Sequence, residues 1–417
     1  MKLVVLTYGT EGDTRPLAAL CRALMDAGYE ITLLADGGTL SSARELGVSC
    51  AALVGDIQAA VQSVSGISSV VAGKNSLNAT AKAMAQIANE NAGAWMRQVL
   101  DGAAGSDGLI VAGLAAYIGF SAAEKLAIPV IGAGMIPLTP TSAFPSPFLP
   151  PHVVPQWLNR FSYTLVAELL WRAFRKATNA ARMEVGLPAG RKIWIGHPML
   201  YGISPSLLPQ PADWPDNAWL CGQWVRPAQE WEAPASLENF LSAGDPPIYV
   251  GFGSMVGFDQ RALLNVVISA VDGQRALFNP GWSGADALNL PPNLRVIGNT
   301  PHDRLFPRTS LVIHHGGSGT AHSAARAGVP SVVLPFAADQ FFWAEQLHQQ
   351  GIAASAASAP KITAATLSHA IAAAQTKEIR AQASAVGAKM LTEDGLAEAV
   401  KRINSLIPGK LPAKSVR

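Results

Sequence analysis

Charge is scarce in this chain. Only 14% of its 417 residues are charged, and 31 basic against 29 acidic residues leave a formal net charge of +2. No long basic run stands out, so the electrostatic footprint of a nucleic-acid binder is missing. Cysteine is scarce as well. Cys21, Cys50 and Cys221 are odd in number and far apart, which points away from a disulfide framework or a zinc site and toward buried thiols. Long apolar runs are lacking. The longest, near 109–120 and 128–138, are broken by glycine and fall short of the ~20 residues that span a bilayer. The opening apolar run, Leu3-Val4-Val5-Leu6, is shorter than the core of a signal peptide and has no cleavage site. A cytoplasmic protein is expected, with a peripheral contact to the inner face of a membrane left open.

What is present is apolar surface: 49% of the residues, enough for sizeable cores. At ~100–200 residues per domain the length implies two domains. Short apolar runs at 3–8, 31–35, 109–112 and 129–133 read as buried parallel strands, with helical patterns at 17–27 and 79–100 between them. Strand-helix alternation resumes at 248–252, 275–278, 294–297, 311–314 and 331–334, and ends in helices at 363–374, 377–390 and 396–406. The fold class is α/β, with two doubly wound parallel sheets facing across a cleft. The expected division is 1–222, a linker at 223–245, a second unit at 246–395, and a final helix and tail at 396–417.

The sharpest motif is His314-His315-Gly316-Gly317-Ser318-Gly319-Thr320, directly after a strand and ahead of a helical pattern at 321–327. Glycines at such a turn let the backbone approach a ligand, and the helix amino terminus offers free N–H groups to an anion. His315, Ser318 and Thr320 add donors. The combination reads as a diphosphate cradle, without the Gly-Lys-Ser/Thr of a Walker loop. Asp339 and Gln340 follow the next strand on the same rim, where an acid and an amide suit sugar hydroxyls. Ser254 closes a third loop, Gly251-Phe252-Gly253-Ser254, near the same phosphates. Trp282 is placed either to stack on a flat base or to fill a core. In the first half, Gly9-Thr10-Glu11-Gly12-Asp13-Thr14-Arg15-Pro16 follows the first strand. Asp13 there suits a general base on an acceptor hydroxyl or a helix cap, and residue type alone leaves both readings open.

The middle of the chain is distinct. Residues 137–155 are dense in Pro and Phe, and an aromatic helical pattern follows from 156 to about 185. Phe144, Phe148, Trp157 and Phe161 suggest a pocket for a lipophilic acceptor such as a sterol, polyketide, flavonoid or lipid. Ordinary core, or a membrane-facing patch with Arg160, Arg172, Arg175 and Lys176, would use the same residues.

Together these motifs resemble the inverting GT-B glycosyltransferases of the family that holds sterol glucosyltransferases, antibiotic glycosyltransferases and the rhamnolipid rhamnosyltransferase. The resemblance spans nearly the whole chain and is most specific over 314–340. It implies that Asp13 is the general base, that His315, Gly317, Ser318, Gly319 and Thr320 hold the donor diphosphate with Ser254 nearby, and that Asp339 and Gln340 hold the donor sugar. It also implies that Trp282 and the backbone of Val296 lie near the base, beside the segment 301–307. Glu11 stands where the family usually has Arg, and Ala321 where a second Thr is common.

The expected reaction is direct displacement with inversion at the anomeric carbon, with no resident cofactor. No Asp-x-Asp pair is present, so no metal is expected. The donor is a nucleotide sugar, UDP-glucose first and a dTDP-deoxysugar such as dTDP-rhamnose second. The partners are that donor and a lipophilic small molecule, with no nucleic acid, and the protein is a monomer or weak dimer. A nucleotide-sugar epimerase and a non-catalytic binding protein are the competing classes.

Overall fold

The computed structural model describes residues 1–60, 62, 76–192, 194–225, 231–253, 255, 259–281, 290–355 and 358–407. Two parallel sheets organise them. The first unit runs β1 (Lys2–Leu6), α1 (Glu11–Asp26), β2 (Glu30–Asp36), α2 (Ser41–Glu45), β3 (Ser49–Leu53), α3 (Ser76–Gly102), β4 (Gly108–Val111), α4 (Ala116–Leu126), β5 (Val130–Gly134), α5 (Asn159–Glu184), β6 (Met199–Tyr201) and β7 (Ala218–Leu220). Its strand order is β3-β2-β1-β4-β5-β6-β7. Leu3 and Val5 pack on one face of the sheet, and Val4 and Leu6 on the other. A strand buried on both faces needs no polar alternation, which is why it reads as a continuous apolar run.

The second unit runs α6 (Ala235–Ser242), β8 (Ile248–Gly251), α7 (Gln260–Val271), β9 (Ala276–Asn279), β10 (Leu294–Val296), α8 (His302–Leu305), β11 (Leu311–His314), α9 (Ser318–Arg326), β12 (Ser331–Val333), α10 (Gln340–Gln349), β13 (Ala353–Ala354), α11 (Ala364–Ala374), α12 (Lys377–Leu391) and α13 (Gly395–Leu406). Its strand order is β10-β9-β8-β11-β12-β13. In each sheet the order reverses beside the first strand, between β1 and β4 and between β8 and β11. Loops at such a switch point diverge and open a crevice at the carboxyl ends of the strands. The segments 7–13 and 314–320 both leave from those points.

An apolar cluster and the last helix help tie the units together. Tyr201, Ile203, Leu207 and Trp214 share one apolar cluster with Ala321, Val333, Phe342, Trp343 and Met390. Helix α13 crosses back and packs Ala399, Ile403 and Ile407 against Leu3, Val5 and Leu17 of the first unit. Tyr29 hydrogen-bonds Asn404, and the Arg402 guanidinium lies 5.0 Å from the centre of the Trp219 ring. No described helix is long and apolar enough to cross a membrane.

Candidate active site

The first loop is built around a capping box. Thr10 caps α1, and Asp13, at the third helical position, reaches back: its Oδ2 accepts from the Thr10 N–H at 2.8 Å and from the Thr10 hydroxyl at 3.3 Å. A side chain at Gly9 would collide with this carboxylate, its Cβ falling 2.3 Å from Oδ2. Capping and the cleft position therefore coexist in one residue. Burial raises the Asp13 pKa, and the two Thr10 hydrogen bonds pull it partly back. Helix α1 starts at Glu11, and Pro16 falls in its second turn. Glu11 sits 3.6 Å from Arg15, so a positive charge returns to this loop one turn further on. The charge of Arg15 also helps lower the pKa of His302 in the second unit, to about 3, after burial.

The second loop leaves β11 at His314, which is fully buried. Its Nδ1 accepts from the Gly316 N–H at 3.1 Å, and its Nε2 has no partner among the described residues. Gly316 takes φ 93°, a left-handed conformation that suits glycine. Gly317 caps α9 with no side-chain hydrogen bond among the described residues. The first-turn N–H groups have no intrahelical acceptor by geometry, so the positive end of the helix faces the cleft uncapped. His315 stands beside them with a buried Nδ1 that has no partner among the described residues, and burial lowers its pKa to about 4. A neutral imidazole with an unused nitrogen is a ready hydrogen-bond partner for a diphosphate oxygen.

The third element follows β12. Ala338 takes φ 51°, an uncommon conformation for a residue with a Cβ, and Asp339 comes next. Asp339 has its pKa raised to about 7, first by burial and then by the charge of Asp13. The charge of Asp13, from the first unit, thus acts on Asp339 of the second. Gln340 differs from its expected part. Its amide oxygen accepts from the N–H groups of Phe336 at 2.8 Å and Ala337 at 3.1 Å, and its Nε2 lies 3.2 Å from Met255 Sδ. The side chain holds its own loop. Val296 ends β10 with its side chain 40% exposed. Ser254 and Trp282 lie outside the described residues.

The four aromatic residues expected around an acceptor have different surroundings. Phe144 packs on Phe342 of the second unit, with ring centres 5.1 Å apart, and so belongs to the contact between the units. Phe148 is half-buried. Trp157 is 81% and Phe161 59% exposed. A cavity of about 500 Å³ lined by Asp245, Gln274, Ser310 and Arg380 adjoins the amino ends of β8 and β11, at the opposite edge from these loops. Arg15 and His314 lie within the motifs read from the sequence but were given no role there, and His322 was not singled out. The doubled His at 314–315 was a visible signal for one of them, and nothing local marked the others.

Residues 262–406 match the family described as Erythromycin biosynthesis protein CIII-like, C-terminal domain. Two sterol 3-beta-glucosyltransferases of Arabidopsis thaliana are 28% and 30% identical to the chain, over 99% and 98% of its length. The chain spans about two thirds of those relatives, 69% of one and 66% of the other. Among solved structures, the glycosyltransferase of kitacinnamycin superposes with a TM-score of 0.72 at 19% identity, covering 98% of this chain and 99% of that one.

Proposed function

The chain belongs to the GT-B glycosyltransferases, and from that premise we propose that it transfers a hexosyl group from a nucleoside-diphosphate donor to the hydroxyl of a sterol or similar lipophilic alcohol, with inversion and without a metal. The observation that carries this reading is the glycine turn after β11 that opens α9 with no side-chain cap among the described residues, with Asp13 and Asp339 at the starts of α1 and α10, on the loops that follow β1 and β12. The printed activity of the plant relatives supports the sterol and the glucosyl group.

In the proposed reaction Asp13 takes the acceptor proton as the acceptor oxygen attacks the anomeric carbon and the bond to the diphosphate breaks. A buried carboxylate is a stronger base than one in water, and a base of this kind contributes roughly 10²–10⁴-fold. The charge that grows on the leaving diphosphate meets the first-turn N–H groups of α9 and His315, which are already oriented. Asp339 accepts hydrogen bonds from donor-sugar hydroxyls.

The acceptor is proposed to arrive from a lipid surface. Trp157, Phe161, Leu165 and Leu169 recur every fourth residue and are 81%, 59%, 46% and 55% exposed. Arg172, Arg175 and Lys176 are exposed further along α5. Apolar side chains backed by cations suit an anionic bilayer interface.

The test is turnover of UDP-glucose and dTDP-rhamnose with sterols and phenols in the presence of EDTA, for wild type and Asp13→Asn. A β-linked glucoside from the α-linked donor, made only by wild type, supports the reading. A product that retains the donor's configuration, or activity restored only by added metal, refutes it. Epimerised sugar released without acceptor identifies the competing class.

A further inference from the structure

A hydrogen-bonded seam joins the units behind the cleft, centred on a histidine that the transfer chemistry does not use. His322, on α9, is 1% exposed. Its Nε2 accepts from the backbone N–H of Ser204, in the first unit, at 3.2 Å. A nitrogen that accepts carries no proton, so the neutral ring holds its hydrogen on Nδ1. Nδ1 then donates to the carbonyl of Ser318 at 2.8 Å. Burial lowers the pKa of this ring to about 4, consistent with the neutral form. The ring edge also meets Trp343, with centres 4.8 Å apart. Ser204 is fully buried and is itself held from the second unit: its hydroxyl donates to Glu393 Oε1 at 2.9 Å, and the Ser206 N–H donates to the same oxygen at 3.1 Å. Glu393 lies between α12 and α13, just before the chain returns to the first unit.

We propose that His322 is a positioning residue that couples the diphosphate turn to the docking of the two units. Ser318 opens α9, and its carbonyl is set by a ring whose other nitrogen is anchored to the opposite unit. The first turn of the helix is therefore held in its donor-binding orientation when Ser204 is docked, and is released from that anchor when the units part. The network is reciprocal: anything that tightens the turn also favours the docked arrangement. This rests on reading 316–320 as the diphosphate cradle.

The test is calorimetric titration of the full chain with UDP and with dTDP, for wild type, His322→Phe, His322→Gln, Glu393→Ala and the Phe/Ala double variant. Phenylalanine keeps the packing on Trp343 and removes both hydrogen bonds. It is expected to weaken the tighter-binding nucleotide about tenfold. Glutamine offers one acceptor and one donor, as neutral imidazole does, and is expected to stay within about threefold of wild type. Glu393→Ala is expected to weaken binding severalfold, and the double variant to be no more than about twofold weaker than His322→Phe, because both changes cut one linkage. Wild-type affinity in His322→Phe, glutamine as weak as phenylalanine, or full additivity in the double variant each overturns the proposal while leaving the cradle intact. Failure of the wild type to bind either nucleotide removes the cradle reading and this inference with it. Should phenylalanine prevent folding, the Glu393→Ala and His322→Gln comparison still decides.

Discussion

Replacing Asp339 by asparagine should make the unliganded protein more stable at neutral pH while abolishing sugar transfer. The reason is the position of the carboxylate. Burial and the charge of Asp13 lift its pKa from 3.8 to about 7. At pH 8 the unfolded chain has lost this proton with ease, whereas the folded chain has had to ionise against burial and a like charge. One pKa unit is worth ~1.4 kcal/mol, which sets a ceiling of ~4 kcal/mol; solvent in the cleft reduces it to ~1–2 kcal/mol. Because the folded pKa is raised, the folded state binds more protons than the unfolded state between about pH 4 and 7. Wild-type stability from this group therefore falls as pH rises through that window. The neutral amide in the Asp339→Asn variant carries no such dependence. The assay is thermal unfolding of both proteins across pH 4–8 without nucleotide. The variant should gain roughly 1–2 °C at pH 8, and the gain should fade toward pH 4, where the unfolded chain also begins to take up the proton. A difference in Tm that does not change with pH, or a variant less stable at pH 8, would refute the raised pKa of Asp339.

Asp13→Asn should lower kcat by roughly 10²–10⁴ while donor affinity, read by titration, stays within about twofold. Gly317→Ala should weaken nucleotide binding more than about tenfold, because a Cβ there would stand 2.5 Å from His315 Nε2; unchanged binding would show that the turn is not the cradle. Acid should destabilise the protein through its buried imidazoles. His302 and His314 are lowered to about 3 and His315 and His322 to about 4, each first by burial. Their contribution is complete above about pH 6.5 and is lost as pH falls toward 4, because the unfolded chain takes up these protons first; Tm scans of Asp339→Asn, which lacks the opposing carboxyl, should show the steeper decline. Trp157→Ser combined with Phe161→Ser should reduce co-sedimentation with anionic vesicles severalfold at unchanged Tm, and equal sedimentation would remove the proposed lipid contact.

Much of this protein is local and was legible as such. Val4, Val5 and Ile313 announce buried strands because parallel strands covered on both faces carry apolar residues without alternation. The glycine-rich turn at 314–320 is visible because its chemistry depends on residue types a few positions apart. The short or edge strands β3, β6, β7 and β13 were not legible. Ser49–Leu53 is mostly exposed and built of small residues, and a run of two or three residues has no period to detect. Nor did residue type separate the two parts of Asp13, since capping box and cleft position call for the same carboxylate. What tertiary structure alone decided are the long-range pairings: Asp13 with Asp339, His322 with Ser204, Phe144 with Phe342, and α13 with the first sheet. Each joins segments more than a hundred residues apart, where no spacing rule applies. Each depends on how two separately legible units close on one another, because burial, and with it the pKa shifts and the forced hydrogen bonds, exists only once that contact is made.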